Sequence, residues 1–231
     1  MRTESAPSLI AIISCLLFSL LLLSCGDRKE AQVQPTNEET QTIYNGTIIA
    51  AGDSLTEGLG VREQEAWPAL LAQKLQDSGR HWQVINAGIS GETSSGLLAR
   101  ITWILARKPD IVILETGAND GLRGIPPSLI RKNIGKAVQL LQDANVTVVL
   151  AGMQITQNLG PDYTKEFAAL YPAVADERNC LLIPFLLQDV ATEPALNQAD
   201  TIHPNKKGHQ IIADTVYPHV LQALQIHLDK E

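Results

Sequence analysis

The sequence predicts an α/β fold, a three-layer α/β/α sandwich built on a five-stranded parallel sheet. Three observations support it. Five short, mostly apolar and β-branched runs recur along the chain, segments with helical periodicity lie between them, and the residues able to do chemistry collect just after the runs. Runs of that kind suit strands buried on both faces, and their alternation with helices calls for a parallel sheet. In such a sheet, sites lie beyond the carboxyl ends of the strands.

Taken in order, the strands are Thr47–Ala51, Trp82–Asn86, Ile111–Leu114, Val146–Leu150 and Leu181–Ile183. Ala69, Leu70, Ala72 and Leu75 form one helical stripe after the first strand. Ile130, Ile134, Val138 and Leu141, at spacings of four, four and three, form another after the third. The carboxyl-terminal stretch Lys207–Leu228 continues the pattern, and Pro218 is expected to kink it. No repeat or second linker interrupts residues 45–231, which are taken as one domain.

Composition narrows the function. Of 231 residues, 45% are hydrophobic and 19% charged, which excludes a disordered chain. With 18 Lys+Arg against 25 Asp+Glu and a net charge of −7, the chain offers no overall basic footprint, so nucleic acid is not expected as a partner. The three cysteines, Cys15, Cys25 and Cys180, form no CxxC pair and no Cys/His cluster at zinc spacing. Cys180 is expected to pack as a small hydrophobe.

The amino terminus reads as an export signal. Leu9–Leu23 is an almost unbroken apolar run, shorter than the roughly 20 residues a membrane-spanning helix needs, and it follows Arg2. Glu4 departs from a purely positive start. Leu22-Leu23-Ser24-Cys25 resembles the lipobox of bacterial lipoproteins, in which the Cys becomes the lipidated first residue of the mature protein. The alternatives are a plain signal peptide with an incidental Cys and an uncleaved anchor. The resemblance implies residues 1–24 as signal peptide, Cys25 as lipidation site, and a membrane anchor facing the periplasm in the bacterial cell envelope. Gly26 after the Cys, where Asp would mark inner-membrane retention, favours the outer membrane if the cell has two. Gly26–Tyr44 is polar and aperiodic, a tether able to span about 25 Å as a flexible coil.

Four strand ends carry unusual residues: Gly52-Asp53-Ser54-Leu55 after the first, Gly88-Ile89-Ser90-Gly91-Glu92-Thr93 after the second, Gly117-Ala118-Asn119-Asp120 after the third, and Asp200-Thr201-Ile202-His203-Pro204 beyond the fifth. At these residues the chain resembles the SGNH (GDSL) hydrolases, whose four blocks carry Ser, Gly, Asn and His in this order. Stretches such as NAGISGETSSG and TGANDGLRG resemble more narrowly the branch of bacterial thioesterase I, lysophospholipase and arylesterase. The resemblance covers essentially the whole domain and implies a flavodoxin-like fold and a serine esterase acting on ester or thioester bonds of small acyl substrates, with no cofactor. Its oxyanion hole would be the backbone amides of Ser54 and Gly91 and the side-chain amide of Asn119. Gly88 competes with Gly91 for the second position.

The residues support the same chemistry by themselves. A serine hydroxyl needs a base to take its proton. Of five histidines, His203 alone has a carboxylate three residues earlier; His81, His209, His219 and His227 follow Ser78, Lys206, Val216 and Leu224 at that distance. Asp200 would fix the His203 tautomer while the other ring nitrogen faces Ser54. Taken alone, Asp200 would read as a turn cap, and Asn119 as an Asx-turn residue. Asp53, Glu57, Glu92 and Asp120 raise a metal-dependent hydrolase as a rival, but no His joins them at ligand spacing, so no metal is expected. Asp53 is read as a loop-fixing acceptor. GxSxG is absent, so the ordinary α/β-hydrolase elbow is not in use. Two other functions remain as alternatives: a carbohydrate acetylesterase of the same fold and a non-catalytic lipid-binding lipoprotein.

Overall fold

The computed structural model describes residues 44–230. The expected signal peptide, the lipidation site Cys25 and the tether up to residue 43 lie outside the described residues.

Strand β1 (Thr47–Gly52) runs into a one-turn helix, α1 (Ser54–Glu57), and then α2 (Trp67–Asp77). Next come β2 (Gln83–Gly88) with α3 (Ser94–Ala99) and α4 (Ile101–Leu105), then β3 (Ile111–Glu115) with α5 (Ala118–Leu122) and α6 (Pro127–Asp143). Strand β4 (Thr147–Ala151) leads to α7 (Pro161–Arg178), and β5 (Leu181–Ile183) leads through a long loop to α8 (Lys206–Leu228). The sheet order is β2-β1-β3-β4-β5 with every pair parallel. This is the flavodoxin-like order, and it places the topological switch between β1 and β3.

Strands β1, β3 and β4 are buried along almost their whole length, as continuous β-branched runs require. The edge strands differ from expectation. Gln83 and Asn86 of β2 are exposed, and Leu181 and Leu182 of β5 are only half-buried, because an edge strand has a neighbour on one side alone. Strand β2 also extends to Gly88, two residues beyond its apolar run, where Gly88 pairs with Gly52.

On α6 the predicted stripe is the buried one, with Ile130, Ile134, Val138 and Leu141 at 0% exposure. Burying each such side chain stabilises by about 1.5–3 kcal/mol. On α2 the inward stripe is instead Trp67, Leu71 and Leu75, and Ala69, Leu70 and Ala72 lie at its half-buried margin. Prolines open α2, α6 and α7 in their first turns, where a missing N–H costs nothing. Pro218 lies inside α8 and Pro172 inside α7 without ending either helix. Cys180 is half-buried against the core.

A candidate active site at the switch point

Ser54 is delivered by the end of β1. Asp53 caps α1, its Oδ1 accepting the Leu55 N–H at 3.0 Å, so Ser54 opens the helix with its own N–H outside the helical bonding pattern. Ser54 is 8% exposed. Among the described residues its N–H has no protein acceptor.

His203 comes from the loop between β5 and α8. That loop is closed on itself by Gln198 N–H donating to the His203 carbonyl at 2.8 Å and by an Asn197–Pro204 bridge. Asn205 then caps α8 by accepting the N–H groups of Lys207 and Gly208. Held this way, His203 Nε2 lies 2.9 Å from Ser54 Oγ, and Nδ1 lies 2.7 Å from Asp200 Oδ2. The other Asp200 oxygen accepts the N–H groups of Ile202 and His203, each at 3.0 Å. The backbone N–H of His203, its ring, and the Ile202 N–H lower the Asp200 carboxyl to about 2. It is therefore ionised at any ordinary pH. His209 is a different histidine: it is buried at 1% exposure, its Nδ1 accepts the Trp67 N–H, and burial together with the His203 charge lowers it to about 4, so it stays neutral.

The two candidate glycines separate cleanly. A Cβ on Gly88 would stand 2.1 Å from the Glu57 backbone nitrogen, and the Gly88 N–H already donates to Asn86 Oδ1. Gly91 has φ of +77°, open space around it, and, among the described residues, no acceptor for its N–H. Arg123 holds its carbonyl at 3.0 Å. Gly88 is thus needed for packing, whereas the Gly91 N–H is uncommitted.

Asn119, on α5 across the switch from Ser54, donates to Asp53 Oδ2 at 2.9 Å and to the Glu92 carbonyl at 3.1 Å. An oxyanion would therefore compete with the Glu92 carbonyl for one of these N–H groups. The same carbonyl ties the second-block loop to the site.

The four carboxylates that suggested a metal go to separate partners. Asp53 takes Leu55 and Asn119, Glu57 takes the Ser90 N–H, Glu92 pairs with Arg100 at 2.7 Å, and Asp120 accepts the Ser94 N–H and hydroxyl. Among the described residues, no group of three or more His, Cys, Asp or Glu side chains is placed to hold a metal ion.

Beside Ser54, Asn119 and His203 opens a cavity of about 280 Å³ whose apolar wall comes from Leu55, Leu122, Met153, Ile155, Leu187 and Ile202. Leu122 and Ile202 stand half-exposed at its rim. A larger groove, about 700 Å³, runs between α6 and α7 and is lined by none of the candidate site residues. The wall residues come from two short helices and from loops scattered along the chain, and carry no local signal that sequence reading could use. Glu115 was also missed, since a carboxylate ending an apolar strand reads as surface.

A hydroxyl, an imidazole and a carboxylate in line at the switch point of a doubly wound sheet define a class, the acyl-transferring hydrolases. Within that class the chain belongs to the GDSL-like lipase/acylhydrolase family, whose model matches residues 50–211. It is 38% identical over 180 residues to Esterase TesA of Pseudomonas aeruginosa, a match covering 78% of this chain and 90% of that protein. It is also 38% identical to the thioesterase 1/protease 1/lysophospholipase L1 of Escherichia coli strain K12, over 73% of this chain and 80% of the relative. Among solved structures, the psychrotrophic esterase EstA from Pseudoalteromonas sp., inhibited by monoethylphosphonate, aligns with a TM-score of 0.75 at 36% identity, over 78% of this chain and 100% of that one. The fold and the esterase chemistry expected from the four sequence blocks therefore hold.

Proposed function

We propose that this esterase hydrolyses carboxylic esters and thioesters of small amphiphilic acyl compounds through Ser54, His203 and Asp200. His203 Nε2 takes the Ser54 proton as Oγ attacks the acyl carbonyl. The tetrahedral oxyanion is met by the N–H groups of Ser54 and Gly91 and by the Asn119 amide. Collapse breaks the bond to the alcohol or thiol, which leaves with the proton from His203. Water then attacks the acyl-serine with His203 again as base, the bond to Ser54 Oγ breaks as Oγ takes that proton back from His203, and the free acid departs. Asp200 keeps the Nδ1–H in place and offsets the imidazolium charge.

The observation that carries this is the continuous chain from Ser54 Oγ through His203 to Asp200, 2.9 and 2.7 Å, opening on an apolar cavity. That wall suits an acyl chain, which favours acyl esters over acetylated sugars. A non-catalytic lipid carrier would have no use for the aligned proton path. The test is an ester panel from acetyl to palmitoyl, with lysophospholipids and acetylated sugars included and Ser54→Ala as background. Acyl esters turned over well above that background support the assignment. Turnover of acetylated sugars alone would overturn it.

We also propose that the enzyme is held at a membrane of the bacterial envelope by lipid on Cys25. Support comes from the sequence: an apolar run that ends on Leu22-Leu23-Ser24-Cys25, followed by a polar segment of tether length. Cys25→Ala should move the protein to the soluble fraction with its specific activity intact, and membrane retention of that variant would point to an uncleaved anchor.

A further inference from the structure

Glu115 closes β3 directly beneath the turn that carries Ser54, and no step above uses it. It is fully buried, at 0% exposure. One oxygen, Oε2, accepts both the Asp53 N–H and the Thr56 hydroxyl at 2.9 Å. The other, Oε1, is equally buried and has no N–H or O–H donor among the described residues. Gly52 makes room for this arrangement, since a Cβ there would lie 2.3 Å from both Glu115 Oε2 and Thr56 Oγ1.

The groups facing Glu115 sharpen the question of its charge. Asp53, at 1% exposure, is within hydrogen-bonding reach of it. The Tyr171 phenol of α7 also faces it, but its hydroxyl is committed to the Thr116 carbonyl at 2.9 Å. No Lys, Arg or His among the described residues pairs with Glu115. Two ionised carboxylates in contact, desolvated and without a cation, cost far more than one carboxylate beside one carboxylic acid. Burial first, and then the Asp53 charge, push the Glu115 carboxyl well above its ordinary value. Asp53 is the better anion of the two, because donors reach both of its oxygens, the Leu55 N–H at Oδ1 and the Asn119 amide at Oδ2, whereas both donors to Glu115 converge on Oε2.

We propose that Glu115 is a positioning residue kept as a neutral carboxylic acid. Its carboxyl proton is held against the Asp53 carboxylate, and its Oε2 fixes the Asp53 N–H and the Thr56 hydroxyl, so that an anionic Asp53 holds the Asn119 amide beside Ser54. A neutral acid can serve as donor and acceptor at once, which an ionised one cannot. The role rests on the reading of Ser54 as nucleophile and Asn119 as oxyanion donor, whereas the protonation state does not.

The test uses the full-length protein with Glu115→Gln, which keeps one acceptor and one donor, and Glu115→Ala, which keeps neither. At neutral pH, infrared difference spectra of wild type against Glu115→Gln should show a carboxylic-acid carbonyl band lost in the variant. Ester turnover by Glu115→Gln should stay within about 3-fold of wild type. Glu115→Ala should lose about 10-fold to 100-fold in kcat with KM nearly unchanged, less than deletion of an oxyanion donor. Stability adds a readout free of activity. A carboxyl that keeps its proton when folded stabilises fully below the ordinary value of 4.5 and progressively less as pH rises above it. The melting temperature of Glu115→Gln should therefore gain on wild type as pH rises above the ordinary carboxyl value of 4.5. If Glu115→Ala does not fold, Glu115→Gln and the infrared band decide. Absence of the band, or a loss of kcat in Glu115→Gln of 10-fold or more, overturns the proposal. A wild-type protein without ester turnover would overturn the reading of Ser54 instead, and the band and the pH trend would still settle the charge of Glu115.

Discussion

The Asp53 carboxylate accepts a 2.9 Å hydrogen bond from the side-chain amide of Asn119. The residue just before the candidate nucleophile thus anchors a group that follows a different strand, 66 positions away. Strands β1 and β3 are neighbours in the sheet, so a short side-chain contact across the switch fixes the spacing between Ser54 and the candidate oxyanion donor Asn119.

Asn119→Ala removes that donor and leaves the Ser54–His203 contact in place. Its kcat for p-nitrophenyl esters is expected to fall by about 10²-fold to 10³-fold. A change confined to KM would assign Asn119 to substrate binding instead.

The two second-block glycines should fail differently. Gly88→Ala drives a Cβ into the Glu57 backbone and should cost about 1–3 kcal/mol or more in unfolding free energy. Gly91→Ala meets no atom nearer than 3.9 Å and is strained only by its positive φ. It should lose only the about 1–2 kcal/mol that a left-handed φ costs a residue with a Cβ, and it should also lose kcat in the folded protein, as its N–H shifts off the oxyanion. Denaturant unfolding and steady-state kinetics on both variants check the contrast.

Acyl-chain length should answer to the cavity wall. Ile155→Trp fills space beside Ser54 and is expected to lower kcat/KM for octanoyl esters by about 10-fold or more while acetyl esters change little. Equal losses for short and long chains would place the acyl group elsewhere.

How much of this was legible in the sequence follows the range of each interaction. The central strands β1, β3 and β4 are legible because runs such as Ile111-Val112-Ile113-Leu114 are buried on both faces and need no partner information. The Asp200–His203 pair was readable because both lie in one short turn. Glu115 was not, because its burial depends on Gly52 and its hydrogen bonds on Asp53 and Thr56, about sixty residues earlier. The α2 stripe came out rotated for a related reason. Trp67 and Leu71 face inward because α8 packs against them, and periodicity over alanines and leucines cannot fix which flank that neighbour takes. The resemblance already favours Gly91 over Gly88, but the physical reason Gly88 must be a glycine lies in the position of Glu57, which no local pattern shows.

Whether Ser54 is the nucleophile can be read directly by treating the full-length protein with an activated alkyl phosphonate and locating the adduct by peptide mass spectrometry. One phosphonyl group should appear on the Ser54 peptide in step with the loss of ester turnover, be absent from Ser54→Ala, and form much more slowly in His203→Ala. Complete inhibition with the adduct on another residue, or undiminished turnover by Ser54→Ala, would contradict the assignment.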